Sequence, residues 1–215
     1  MDKVLYYVHD PMCSWCWAFN KTWTTIQASL PDSIEVRYLL GGLAPDSDQP
    51  MAEELRQKIS QGWYRIQQHV PGTEFNHDFW TVCTPRRSTY PSSRALIAAR
   101  TLDKTAEKPM LLAIQQAYYL QAKNPADDPV LIDCAGQIGL DKNAFAVLLN
   151  HSTTQQQLLM EIKLARGMGA NSFPSLVLQQ GEQIRLLRYD YNDPQVLLDE
   201  LETLRTPIVK EYPVI

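Results

Sequence analysis

The spacing of apolar residues changes character twice along the chain. Near the start, Val4-Leu5-Tyr6-Tyr7-Val8 is an unbroken apolar run of strand length. Such a run predicts a strand. Asp10-Pro11 closes it with turn chemistry. Trp17, Ile26 and Leu30 then keep a helix-compatible pattern until Pro31-Asp32 stops it. Residues 34–40 begin with period-two alternation and predict a second strand. Gly41-Gly42-Leu43-Ala44-Pro45-Asp46 is a turn-rich break.

Beyond the break the period becomes helical. Met51, Leu55, Ile59, Trp63, Ile66 and Val70 recur at three- and four-residue spacing, the stripe of an amphipathic helix, and Pro71-Gly72 ends it. A polar stretch with Phe75, Phe79 and Trp80 follows. Further helices are predicted at 91–103, 106–123, 129–138, 142–150 and 153–167. The punctuation agrees: Asp128-Pro129 supplies a cap and an early proline, and Ser152 with Gln155 fits a capping box. Gly139 and Gly169 suit helix C-termini.

After Gly169 strands return. Ser175-Leu176-Val177-Leu178, a Gly181-Glu182 turn and the run 184–189 predict a hairpin. Asp193-Pro194 opens a final helix carrying Val196, Leu197, Leu201 and Leu204. The order is β-α-β, a helical block, then β-β-α. This is an α/β thioredoxin-like fold with a large all-helical insertion between the second and third strands. Residues 1–45 plus 170–205 form the thioredoxin-like part. Residues 46–169 form the insertion, and 206–215, with Pro207 and Pro213, an extended tail.

The chemistry concentrates where the first strand meets the first helix, at Cys13-Ser14-Trp15-Cys16. A helix N-terminus has unpaired N–H groups and a partial positive charge, and both favour an ionised sulfur, the nucleophilic form. A cysteine one turn on comes within the roughly 4.4–6.8 Å Cα separation that a disulfide needs. A bare C-x-x-C is ambiguous, but one set between a strand and a helix of a βαβ unit is a redox signature. Zinc would need four ligands; Cys83 and Cys134 are the remaining cysteines and form no second such pair. They read as buried small hydrophobes, and no metal site is expected.

Composition narrows the function classes. The 215 residues carry 45% hydrophobic and 20% charged side chains, ordinary for a globular protein, and the net charge is −4. With no basic run, nothing points to nucleic acid, and no apolar stretch has the length of a membrane span. Met1-Asp2-Lys3 leads straight into the first strand with no secretory signal pattern, so a cytoplasmic location is expected. In that compartment structural disulfides are rare and a C-x-x-C points to catalysis.

Asp10-Pro11-Met12-Cys13-Ser14-Trp15-Cys16-Trp17, together with Ser172-Phe173-Pro174-Ser175 before the third strand, resembles the DsbA family of disulfide oxidoreductases. The closer resemblance is to its cytoplasmic, FrnE-like branch, and it spans nearly the whole chain. It implies a cis proline at Pro174, facing the cysteine pair. The residues alone leave a trans proline opening a strand equally open. Phe173 would offer backbone groups to an extended substrate. The chain departs from the family's best-known members at the dipeptide Ser14-Trp15, which is neither Gly-Pro nor Pro-His. That dipeptide influences redox poise, so the direction of reaction stays open.

The resulting expectation is a protein-disulfide oxidoreductase or isomerase. Cys13 attacks, Cys16 resolves, and Ser14, Trp15, Phe173 and Pro174 contact a thiol- or disulfide-bearing protein or small molecule. No cofactor beyond the redox-active pair is expected, with glutathione a candidate co-substrate. His9 reads as a strand-end histidine facing elsewhere or, if protonated and near, as a group that stabilises the Cys13 thiolate, and Asp10 would act as an acid near Cys16 or make an Asx turn before Pro11. Trp17, Phe19 and Trp23 read as helix–sheet core. Trp63, Tyr64, Phe79 and Trp80 read as packing residues or a groove lining. Arg86 and Arg87 read as a solvated pair or a small anion patch. Two other readings remain. One is a glutathione-using enzyme resembling kappa-class transferases or 2-hydroxychromene-2-carboxylate isomerases, which typically carry serine where Cys13 stands. The other is a non-enzymatic binding or chaperone-like module.

Overall fold

The structure, a computed structural model, describes residues 3–204. Strand β1 (Lys3–His9), helix α1 (Ser14–Ser29) and strand β2 (Ile34–Leu40) form the opening βαβ unit. The helical block follows as α2 (Glu53–His69), α3 (Phe79–Val82), α4 (Tyr90–Leu102), α5 (Glu107–Tyr119), α6 (Asp128–Gln137), α7 (Lys142–Leu149) and α8 (Ser152–Gly167). The chain then returns through β3 (Ser175–Gln180), β4 (Gln183–Leu187) and α9 (Gln195–Thr203). The four-stranded sheet has the order β2-β1-β3-β4. β1 runs parallel to β2, with His9 opposite Leu40, and antiparallel to β3, with Val8 opposite Ser175.

β1 is central, and its unbroken apolar run has a physical reason: both faces of the sheet are covered. Leu5 and Tyr7 pack with Phe19, Trp23 and Ile26 of α1 and with Leu197 and Leu201 of α9. Val4, Tyr6 and Val8 point the other way, onto Ala165 and Met168 at the end of α8. Each such fully buried large apolar side chain is worth about 1.5–3 kcal/mol relative to exposure. The helical block is therefore welded to the sheet: α8 shares one core with α4 to α7 through Leu158 and another with the strands through Ala165.

Local endings differ from expectation in several places. α8 is capped by His151, whose ring accepts from Thr153 N, so Ser152 opens the helix and the expected Ser152–Gln155 box does not form. α6 likewise starts one residue early, after Asp127. The fourth strand ends at Leu187, because Tyr189 leaves the sheet and turns its hydroxyl onto Pro174 O at 2.8 Å. The single-turn α3 sits in the polar stretch that holds Phe79 and Trp80, where no helix was predicted; it is too short to leave a periodic signature. Gly169 takes φ +82, the left-handed ending expected after α8. The extended tail expected over 206–215 lies outside the described residues.

Candidate functional site

The site begins with a turn. Asp10 Oδ1 accepts from Met12 N at 2.8 Å, and Asp10 O accepts from Cys13 N at 3.0 Å. This is the Asx turn expected before Pro11. It delivers Cys13 to the N-cap of α1, with φ −81 and ψ 112, and Cys13 O accepts from Trp17 N at 3.1 Å. The first turn of α1 holds no acidic residue to offset its positive end. Cys13 is 6% exposed and Cys16 fully buried, and both are free thiols. Of the two sulfurs, Cys13 is thus the one nearer solvent.

The loop before β3 faces this sulfur. The Phe173–Pro174 peptide bond is cis. Cys13 Sγ donates to Phe173 O at 3.3 Å, which joins two segments 160 residues apart. The Phe173 ring rests against Gly41 so closely that a Cβ there would stand 2.0 Å from a ring carbon. Gly41 N in turn donates to His9 O at 2.8 Å. The C-terminal ends of β1 and β2 thereby form the floor on which Phe173 is seated.

Behind the pair, the buried groups are electrically distinct. Burial, followed by the neighbouring Cys13 sulfur, pushes the Cys16 thiol well above the usual range. Asp10 is fully buried and accepts from Met12 N, Leu43 N and Thr89 Oγ1, at 2.8, 2.7 and 2.6 Å. Burial raises its carboxyl, and the bonds from Thr89, Leu43 and Met12 oppose that rise. His9 is also fully buried, stacked on Tyr7 at 5.1 Å. Burial, with a smaller push from the Arg100 charge, lowers it to about 3. The expectation of a protonated His9 supporting the thiolate is corrected on this ground: near neutral pH its ring is uncharged.

A cleft of about 470 Å³ opens above Cys13, Ser14 and Trp15. Phe173, Ser172 and Asn171 form one wall. The helical block forms the other with Met51, Ile59 and Tyr118, and Arg86, Arg87 and Arg166 complete the lining. Trp15 stands beside Tyr191 and His69, with ring centroids 4.8 and 5.7 Å away. Pro174 is buried beside this cleft rather than in its lining.

Other expected residues fall elsewhere. Trp63, Phe79 and Trp80 are buried in an aromatic cluster with Tyr118 and Tyr119, so they pack and do not line the groove. Tyr64 is exposed and stacks on His77 at 4.0 Å. Phe19 and Trp23 belong to the helix–sheet core, but Trp17 turns to the helical block and stacks on Tyr119 at 5.5 Å. Cys134 is buried among the helices, and Cys83 Sγ donates to Ala122 O at 3.0 Å. Among the described residues no group of three or more His, Cys, Asp or Glu could hold a metal. Sequence reasoning missed Tyr118 and Arg166 as lining residues. Nothing local marks them, since each reaches the cleft only through the packing of α5 and α8.

Comparisons with known proteins agree with this architecture. The thioredoxin family profile matches residues 6–195. A structure from Nitrosomonas europaea, provisionally described as a protein disulfide isomerase, superposes with a TM-score of 0.83 at 24% identity, over 95% of this chain and 98% of that one. The cytosolic disulfide reductase DsbM from Pseudomonas aeruginosa gives 0.76 at 25% identity, over 94% and 98%. A structure of DsbM with GSH gives 0.73 at 26%, over 94% and 100%. Among curated proteins, the ClpXP adapter protein SpxH of Halalkalibacterium halodurans is 23% identical over 177 residues, 80% of this chain and 57% of that protein. This chain thus spans little more than half the length of the curated relatives it matches. With its profile match, its sheet order and its helical block between β2 and β3, the chain belongs to the thioredoxin family and has the architecture of its DsbA-like members.

Proposed function

We propose that the chain is a thiol–disulfide oxidoreductase in which Cys13 exchanges with the substrate and Cys16 resolves. The observation that carries this is the placement of the Cys13 sulfur at the N-cap of α1, bonded to Phe173 O and open to the cleft. In the reducing direction, the Cys13 thiolate attacks one sulfur of a substrate disulfide. A Cys13–substrate bond forms, the substrate S–S bond breaks, and the departing half leaves as a thiolate that takes up a proton. Cys16 then loses its proton and attacks Cys13 Sγ, releasing the second half. Two electrons have passed to the substrate and the Cys13–Cys16 disulfide remains. A thiol pool restores the dithiol by the reverse sequence.

Phe173 O accepts from the Cys13 thiol in the resting dithiol. Once Cys13 is bonded to substrate this acceptor is free for a substrate N–H, as strand-like peptide recognition requires. The likeness to DsbM, described as a cytosolic disulfide reductase, supports the reducing direction, a cytoplasmic setting and glutathione as a thiol partner. The likeness to SpxH, described as an adapter, supports a second reading in which the same cleft binds a protein without turnover.

Trapping separates the two. Cys16→Ala incubated with a disulfide substrate should accumulate a mixed disulfide at Cys13, seen as a mass increase that dithiothreitol removes. An adapter that never exchanges would give no adduct and would bind its partner equally well with Cys13→Ala.

A further inference from the structure

The cleft above Cys13 is charged against the sign of the whole chain. The chain carries a net −4, yet among the described residues the cleft is lined by Arg86, Arg87 and Arg166 and by no Asp or Glu. Arg86 is already engaged: it donates to Ala126 O and to the Asp127 carboxylate. Arg87 and Arg166 are exposed, and among the described residues neither is paired with a carboxylate. The Arg166 guanidinium lies over the Phe173 ring, 5.8 Å from its centroid, beside the residue whose carbonyl meets the Cys13 thiol. Asp10 feels the charge of Arg87, but it lies buried beneath the cleft with three donors already on its carboxylate.

The loop carrying Arg87 is fixed on both sides. Met51 N donates to Pro85 O at 2.7 Å, and Thr89 N donates to Ala44 O at 3.0 Å. Two guanidiniums with no carboxylate partner among the described residues thus stand at the mouth of a cleft that also holds the Cys13 sulfur. A guanidinium recognises a carboxylate through paired, charge-assisted hydrogen bonds. At a partly wet rim it does so without the cost of full desolvation. The cleft volume of about 470 Å³ suits a small molecule.

We infer that Arg87 and Arg166 select small disulfides that carry a carboxylate near the reacting sulfur, and disfavour cationic ones. This inference rests on the reading of Cys13 as the exchanging sulfur. The chemistry is the exchange already written: Cys13 bonds to one substrate sulfur, the other half leaves as a thiolate and is protonated, and the retained half keeps its carboxylate on the arginine rim. Arg87 and Arg166 hold and orient the substrate and take no part in bond making.

The test is single-turnover oxidation of the prereduced protein, followed by tryptophan fluorescence. Three disulfides are compared: glutathione disulfide (carboxylate-bearing), bis(2-hydroxyethyl) disulfide (neutral) and cystamine (cationic). Each rate is divided by the rate at which dithiothreitol reduces the same disulfide. The normalised rate for glutathione disulfide should exceed that for the neutral compound by about tenfold, the size of one to two charge-assisted contacts at a partly exposed rim. Salt at about 0.5 M should shrink the ratio toward one in the unmodified protein, because the Debye length falls well below the reach of these charges. Arg87→Gln with Arg166→Gln should do the same at low salt, while Arg87→Lys with Arg166→Lys should keep part of the preference. Equal normalised rates for all three disulfides in the native protein would overturn the inference and leave the exchange reading standing. Failure of every disulfide to oxidise the protein would overturn the exchange reading itself.

Discussion

The molecule holds two pairs of free cysteines in two different settings. Cys13 and Cys16 lie where β1 ends and α1 begins; Cys83 and Cys134 lie in the helical block. Cys134 is 1% exposed among α4, α5, α6 and α7, and burial pushes its thiol up to about 11. Cys83 follows α3 with its sulfur on Ala122 O, and burial raises it too. Cys13 is also mostly buried, yet it caps a 16-residue helix, faces Phe173 O and lines a cleft. Exposure alone therefore does not separate Cys13, the thiol proposed to exchange, from Cys83 and Cys134. The difference lies in the backbone: Cys13 stands at the N-terminal end of a long helix with a second sulfur one turn inside, and Cys83 and Cys134 have no such neighbour.

The sharpest way to break this comparison is Cys13→Ala, which should abolish exchange with every disulfide, read by stopped-flow oxidation. Residual turnover that depended on Cys83 would erase the distinction. Next in size is Asp10→Ala, which strips the acceptor from two backbone N–H groups and the Thr89 hydroxyl. The Thr89 hydroxyl can still donate to Ala44 O, so two backbone donors are orphaned; at about 1–3 kcal/mol each, urea unfolding should show a loss of at least about 2 kcal/mol. A loss below about 1 kcal/mol would mean that the turn delivering Cys13 is not built on Asp10.

His9 sharpens the comparison through pH. Its folded-state value of about 3 lies below the usual 6.5, so between these values the unfolded chain binds the extra proton. Stability therefore falls as pH drops from 6.5 toward 3, by up to about 1.4 kcal/mol per unit. Stability curves of the native protein and His9→Phe should diverge over that window, the variant losing less, and parallel curves would refute it. The smallest effect is expected from Cys83→Ala with Cys134→Ala. It should cost about 1 kcal/mol of packing and leave the exchange rates at Cys13 as they were.

The fold was legible wherever hydrophobic period and punctuation agreed. β2 was bounded residue for residue, and the helices of the block other than α3 were placed to within a few residues, because apolar stripes and proline and glycine stops are local signals. The cysteine pair was legible for the same reason, whereas the loop of Phe173 and Pro174 was marked by the family resemblance, the residues alone leaving a cis and a trans proline equally open. Three things were not. The state of His9 depends on burial between the sheet and its neighbours, which no local pattern encodes. The engagement of Arg86 with Asp127 depends on where α6 starts. Tyr118 and Arg166 enter the cleft only because α5 and α8 dock against the sheet unit. Readable chemistry came from residues that belong to one strand–turn–helix segment; the rest is assembled from distant segments.

The most direct measurement is equilibration of the protein in glutathione buffers of graded poise, with alkylation of free thiols and mass analysis of each cysteine. One reversible two-electron transition confined to Cys13 and Cys16 is expected, with Cys83 and Cys134 alkylated as thiols throughout. A chain in which no Cys13–Cys16 disulfide forms at any poise would contradict it.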